Sequence, residues 1–254
     1  MIRPALTAAS LLAAGALASS TLASDHDAPA FASTATVAAS VAPSGERLLR
    51  RLQVAAPSLN RDVLALALDA RACALHSGTV ARAPRLAVID YSRPSTEPRL
   101  WVFDLERERL LYAEHVAHGR GSGENFATAF SNRDGSYQSS LGLFATAETY
   151  VGGNGYSLRM DGLEPGFNDR ARDRAIVMHG APYVDPAQAL LQGRLGRSLG
   201  CPALRPAVAQ SLIDTLKDGQ LVFAYYPDTD WLARSPFLRC GQSANATPTA
   251  RGMR

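Results

Sequence analysis

The spacing of hydrophobic positions changes period partway along the chain. From Glu46 to His76 apolar residues recur at three- and four-residue steps, as Leu59, Val63, Leu66 and Ala70 do. That spacing gathers side chains on one face of an α-helix. Ser58 stands where an N-cap would accept first-turn amides, and Gly78 lies just past the end. A helical pair packed on the body that follows is predicted here. From Arg85 the pattern turns to strand. RLAVID, RLWVFDL and RLLYAEHVAHG are rich in β-branched and aromatic residues, and the polar Glu106-Arg107-Glu108 between the last two predicts a hairpin. LGLFATAE, YSLRM, AIVMHG and QLVFAYY are further strand candidates, with the turn clusters SNRDG and GGNG among them. Two helices interrupt the late strands. Asp185 and Pro186 form a cap and first-position pair for a short helix ending at Gly193, and a second runs from about Pro206 to Gly219 through Val208, Leu212 and Leu216. Many short strands and few helices predict a mainly β fold, a mixed sandwich or barrel-like sheet, with a few peripheral helices and an N-terminal helical extension.

The two ends depart from these periods. Arg3 precedes an Ala/Leu-rich run from Leu6 to Leu17, and Thr21-Leu22-Ala23 supplies small residues at cleavage spacing. This reads as an export signal over residues 1–23, with an uncleaved anchor as the alternative. The run is short for a membrane span, and no later stretch reaches the ~18 apolar residues a spanning helix needs. No transmembrane segment is expected after signal removal, and the location expected is periplasmic or secreted. Residues 24–45 are small, polar and aperiodic, which predicts a disordered linker. A helical extension follows over 46–80, then the main domain over 81–240 and a disordered tail over 241–254. The formal net charge is +3, no Lys/Arg block occurs and aromatics make up 7%, so a nucleic-acid partner is excluded from the reading.

The three cysteines are Cys73, Cys201 and Cys240. An odd number in an exported chain fits one bridge plus one free thiol, or no bridge. Cys73 with Cys240 is the favoured pair, because Cys201 has another use; three unpaired thiols stay open. The stretch from Ile176 to Leu204 carries that use. An apolar strand delivers His179 at its end, followed by Gly180, and the turn Ser198-Leu199-Gly200-Cys201-Pro202 presents a thiol. A thiolate is the attacking form of cysteine, and an adjacent imidazole can take its proton. Amides around Leu199 to Cys201 could receive the oxyanion of a tetrahedral intermediate. A lone Cys or His is more often structural, so residue types by themselves do not decide the matter. His115, His118, His179 and the cysteines lack the close spacing of a metal site, and no metal is expected.

Together, these residues resemble a known family. His179-Gly180 followed by Ser198-Leu199-Gly200-Cys201 is similar to the active-site signature of the YkuD-like L,D-transpeptidases, and more closely to the murein L,D-transpeptidase catalytic domain proteins. The supporting segments are VAHGRGSG at 116–123, FSNRDGSYQSSLGLFAT at 130–146, YSLRMDGLE at 156–164, RAIVMHGAPYV at 174–184 and GRSLGCPAL at 196–204. Their order spans about residues 84 to 227. The resemblance implies the L,D-transpeptidase fold and an acyl transfer in which Cys201 attacks a peptidoglycan tetrapeptide stem. His179 would be its base, oriented by a carbonyl near Gly180, and no cofactor would be needed. The stem peptides would be the partners; the oligomeric state stays open.

The chain departs from the family where many members carry His before the Gly-Cys, here Leu199, and Arg or Asn two residues after the cysteine, here Ala203. Arg194, Arg197 or Arg205 would then be the candidate carboxylate-binding guanidinium, with a solvated loop charge as the plainer reading of each. Ser198 and Gly196 are expected to shape the turn, with Ser198 also near the nucleophile. His118, Ser122, Ser139 and Ser140 fall in the resembling segments; they could line the cleft, with loop chemistry and strand-end packing as the plainer reading of each. A hydrolase of the same thioester, an L,D-carboxypeptidase, is the nearest rival; a non-catalytic wall-binding protein is the rival from another class. The enzymatic reading requires the sulfur and the imidazole in contact, in a cleft open to an extended peptide.

Overall fold

A computed structural model describes residues 44–240. The signal at 1–23, nearly all of the linker and the tail lie outside those residues. The described residues begin with α1 (Ser44–Ala55), two residues earlier than expected, and α2 (Arg61–His76). The cap of α2 is Asn60 rather than Ser58: its side chain accepts from the amides of Asp62 and Val63. Leu59 is the reason for the offset. It is buried and its amide closes a turn onto Ala56 O at 3.1 Å, so the helix can start only after it.

Nine strands follow among the described residues. They are β1 (Arg85–Asp90), β2 (Leu100–Asp104), β3 (Arg109–Glu114), β4 (Val116–Ala117), β5 (Gly142–Gly152), β6 (Gly155–Gly162), β7 (Val177–Gly180), β8 (Ala203–Leu204) and β9 (Leu221–Tyr225). The later helices are α3 (Pro186–Gln192), α4 (Pro206–Leu216) and α5 (Thr229–Arg234). All nine strands join one sheet in the order β3-β2-β1-β9-β5-β6-β7-β8-β4. The pairs β1/β9 and β7/β8 are parallel, and the others are antiparallel.

This fold is mainly β, a mixed sheet curled into a nearly closed barrel. The two edge strands show why. β3 ends at Glu114 and β4 begins at Val116, so a single residue, His115, links opposite edges. Flat, those edges would stand on the order of 38 Å apart at ~4.8 Å per strand. The segment RLLYAEHVAHG was expected as one strand; closure divides it in two. Arg99 fastens the seam, its amide donating to Glu114 O at 3.0 Å and its guanidinium to Val116 O at 2.9 and 3.0 Å.

β1 and β2 are buried along nearly their whole length, which explains their continuous apolar runs. α2 packs on β1 and β9, and α4 on β7, β1 and β6. One hydrophobic core runs from Leu52 and Leu64 of the helical pair through Trp101, Phe103 and Phe223 of the sheet to Trp231 of α5. The helical pair is thus part of the core of this body. Cys73 of α2 is bonded to Cys240, and Cys201 is free.

Candidate active site

β7 and the turn before β8 carry the two sequence-nominated groups on neighbouring chain segments. His179 of β7 pairs with Ala203 of β8 in parallel register, so Cys201, two residues upstream of Ala203, lies level with the start of β7. The neighbouring hydrogen bonds agree: Val177 N–H donates to Cys201 Sγ at 3.5 Å, and the thiol donates to Ala175 O at 3.6 Å.

The turn that carries the sulfur is fixed from several sides. Ser198 Oγ donates to Cys201 O at 2.6 Å and accepts Gly200 N–H at 3.1 Å. Ser198 N–H donates to His118 O at 3.0 Å, and Arg120 N–H to Ser198 O at 2.8 Å. Ser139 Oγ donates to Gly200 O and accepts Gly119 N–H, both at 3.0 Å. Gly200 has φ of +127°, and a Cβ there would come within 2.8 Å of Ile176 Cδ1 and 2.9 Å of Gln138 O. Only glycine suits that position. His118, Ser122, Ser139 and Ser140 are all buried, and His118 and Ser139 back the turn directly.

His179 is oriented by its own strand. Its Nδ1 lies 3.0 Å from Gly180 O. A carbonyl only accepts, so Nδ1 carries the proton in the neutral ring and Nε2 keeps a free lone pair. Gly180 also allows close packing: a Cβ there would meet Ala209 Cβ of α4 at 2.9 Å.

Two expectations change. The sulfur is hydrogen-bonded to the backbone of β7 and its approach, not to the imidazole, because the turn aims it at Val177, one two-residue step short of His179. The pair also does not line an open cleft. Cys201 keeps 9% of its surface and His179 4%, and neither lines the cavity of about 600 Å³ beside α1 and α2. Leu199, at the tip of the turn, is by contrast 58% exposed. Burial pushes the Cys201 thiol above its ordinary value, against the pull of the Val177 amide and the Arg174 guanidinium. Burial likewise holds the His179 imidazole below its ordinary value, partly offset by the bond to Gly180 O. Both groups are therefore neutral at rest near pH 7.

The arginines nominated from the sequence are occupied. Arg194 and Arg197 converge on Glu124 at 2.8 and 2.7 Å, and Arg197 also donates to Gly123 O at 2.9 Å. Arg205 forks onto Glu114 at 2.7 and 2.8 Å. A residue the sequence reading did not single out stands nearer the nucleophile. Arg174, just before β7, donates to Ser131 O, Ser140 Oγ, Ser136 Oγ and Gln138 O, and its Nη2 lies 3.6 Å from the place a Gly200 Cβ would take. No local sequence signal sets it apart from Arg170 and Arg172, which precede it in the same stretch.

A family model described as the L,D-transpeptidase catalytic domain matches residues 55–225, a stretch that includes α2. No curated protein matches the chain. Among solved structures, an L,D-transpeptidase from Mycobacterium smegmatis is 14% identical over 57% of this chain and 59% of its own, with a TM-score of 0.35. L,D-transpeptidase 3 from Mycobacterium tuberculosis is 17% identical over 56% and 61%, with a TM-score of 0.33. An L,D-transpeptidase from Stackebrandtia nassauensis is 14% identical over 73% and 92%, with a TM-score of 0.35. The chain thus spans about three fifths of the length of the two mycobacterial proteins.

Proposed function

The chain belongs to the L,D-transpeptidase catalytic domain family, and from that premise we propose that it transfers acyl groups between peptidoglycan stem peptides, outside the cell membrane, through a thioester on Cys201. The observation that carries this reading is a free cysteine on a rigid Gly-containing turn, one two-residue step along the parallel β7/β8 register from a histidine whose Nδ1–H is committed to Gly180 O. A ring held this way presents a basic Nε2, which is what a thiol needs in order to ionise.

The resting thiol donates to Ala175 O. In the reaction it turns from that carbonyl to Nε2, gives up its proton and attacks the stem carbonyl. The Val177 N–H stays directed at the sulfur and stabilises the thiolate as it forms. Gly200 N–H is already taken by Ser198 Oγ, so the Cys201 and Leu199 amides are the donors assigned to the oxyanion. The protonated imidazole then returns its proton to the departing amine of the terminal D-amino acid. An amine from a second stem resolves the thioester. Arg197, Arg194 and Ser198 act by shaping the wall of the site, since both guanidinia are held by Glu124.

The test joins intact mass to muropeptide separation. Wild type treated with a carbapenem gains the mass of one inhibitor, and Cys201→Ala gains none. On purified sacculi, wild type produces new cross-linked muropeptides, while Cys201→Ala and His179→Ala produce at least 100-fold fewer, the scale typical of losing a nucleophile or base. Trimmed stems without cross-links would identify a carboxypeptidase instead. Turnover surviving in Cys201→Ala would sink the proposal.

A further inference from the structure

Among the described residues, a cation with no carboxylate in direct ion-pair contact stands behind the nucleophile. Arg174 spends four guanidinium hydrogen bonds on neutral oxygens: Ser131 O at 2.6 Å, Ser140 Oγ at 2.6 Å, Ser136 Oγ at 3.2 Å and Gln138 O at 2.7 Å. The side chain is half-buried. Arg194, Arg197 and Arg205, by comparison, are each neutralised by a glutamate. Arg174 also sits close to the sulfur by two routes. Its Nη2 is 3.6 Å from the position of a Gly200 Cβ, beside the residue that precedes Cys201. Its chain neighbour Ala175, at φ +52°, supplies the carbonyl that holds the thiol proton.

A half-buried positive charge on neutral partners is poorly repaid for its lost hydration, and such a charge strongly favours any anion that forms beside it. The anion available here is the Cys201 thiolate. We propose that Arg174 is a positioning residue for the nucleophile: its fixed charge stabilises the thiolate once His179 has taken the proton, while its four hydrogen bonds hold the 131–140 segment against the turn. The inference deepens the acyl-transfer reading and rests on it. Burial raises the thiol, and the charge of Arg174 acts the opposite way. The other titratable groups that act on the sulfur are Tyr91 after β1 and Tyr183 after β7, and His179 lies one two-residue step along the register. Asp134, exposed on the 131–140 segment, and Arg170 face Arg174 itself. Among these groups Arg174 is the cation that acts on the sulfur.

The experiment measures alkylation of Cys201 by iodoacetamide against pH, which needs no substrate and no turnover. The thermal midpoint of each variant is recorded alongside. Loss of a neighbouring cation moves a thiol by about one pH unit or more. Arg174→Met should therefore shift the alkylation midpoint up by about one unit and slow the reaction about tenfold below it. Arg174→Lys, which keeps the charge and loses the fork, should stay within a few tenths of wild type even where its thermal midpoint falls. Asp134→Asn should move the profile the other way, to lower pH, because it unmasks the same cation. That exposed substitution decides the matter if Arg174→Met does not fold. A wild-type profile in both Arg174→Met and Asp134→Asn, or in Asp134→Asn alone where the Met variant is unfolded, would overturn the proposal and leave Arg174 a loop clamp. Failure of the acyl-transfer reading looks different: the alkylation shifts remain, and no Cys201-dependent change in sacculi is found.

Discussion

His118 gives this fold a predictable sensitivity to acid. Its side chain is fully buried, with Nδ1 2.6 Å from Arg99 Nη2 and Nε2 3.3 Å from Gly123 O. A guanidinium only donates, so Nδ1 must accept, and the ring is neutral with its proton on Nε2. Burial, followed by the Arg99 charge, holds its pKa down to about 3. An unfolded imidazole takes a proton near ~6.5. The unfolded chain thus binds the proton first as pH falls, so the contribution of His118 is whole above pH ~6.5 and drains away toward pH 3. At pH 5 the loss is about 1.5 pH units at ~1.36 kcal/mol each, or about 2 kcal/mol. That is a sizeable part of the 5–15 kcal/mol typical of a domain. His118→Gln keeps an acceptor for Arg99 and a donor for Gly123 O while abolishing the titration. Urea unfolding of both proteins at pH 7 and pH 5 provides the comparison, because every other titrating group appears in both and cancels. Wild type should lose about 2 kcal/mol more than His118→Gln between the two pH values. Equal losses would refute the reasoning. The consequence reaches the site, since His118 O holds the amide of Ser198.

Gly200→Ala should abolish carbapenem acylation of Cys201 by at least tenfold, because a Cβ at that φ would overlap Ile176 Cδ1 and Gln138 O and the backbone strain alone costs roughly 1–3 kcal/mol; intact-mass kinetics check this, and a wild-type acylation rate would contradict it. Joint replacement of Cys73 and Cys240 by Ala should lower stability by about 2–5 kcal/mol, the upper end being what the loop-entropy relation gives for a sequence separation of 167 residues. It should also leave iodoacetamide alkylation of Cys201 unchanged, and an unmoved unfolding midpoint would contradict the prediction.

What the sequence made legible follows from how local each signal is. α3 was readable at both ends because Asp185 caps it through the amides of Ala187 and Gln188, Pro186 occupies its first turn and Gly193 ends it in the left-handed region. β5 and β6 were readable because Gly153-Asn154 joins them as a two-residue hairpin loop between Gly152 and Gly155. β8 was not, since its two residues exist as strand only by pairing with β7 on one side and β4 on the other. α5 was missed for a similar reason: six residues are too few to show a period, and its anchor, Trp231, is fixed by a bond from Nε1 to the distant Glu164 at 2.8 Å. The break at His115 is a property of sheet closure, which no window of eleven residues contains.

The site divides along the same line. His179 and Cys201 could be named because each sits in a short motif whose residue types announce chemistry. Their relation could not, because the sulfur's direction is set by Ser198, Ser139 and the approach to β7 acting together on one turn. Arg174 shows the difference most plainly. In sequence it is one of many arginines, and nothing local separates it from Arg172, which lies two residues away and is paired with Asp161 and Glu148. What distinguishes it is the set of oxygens it meets, all neutral and all from one distant segment. A charge becomes useful to a thiolate only when no carboxylate has claimed it first, and that condition is written in the tertiary structure.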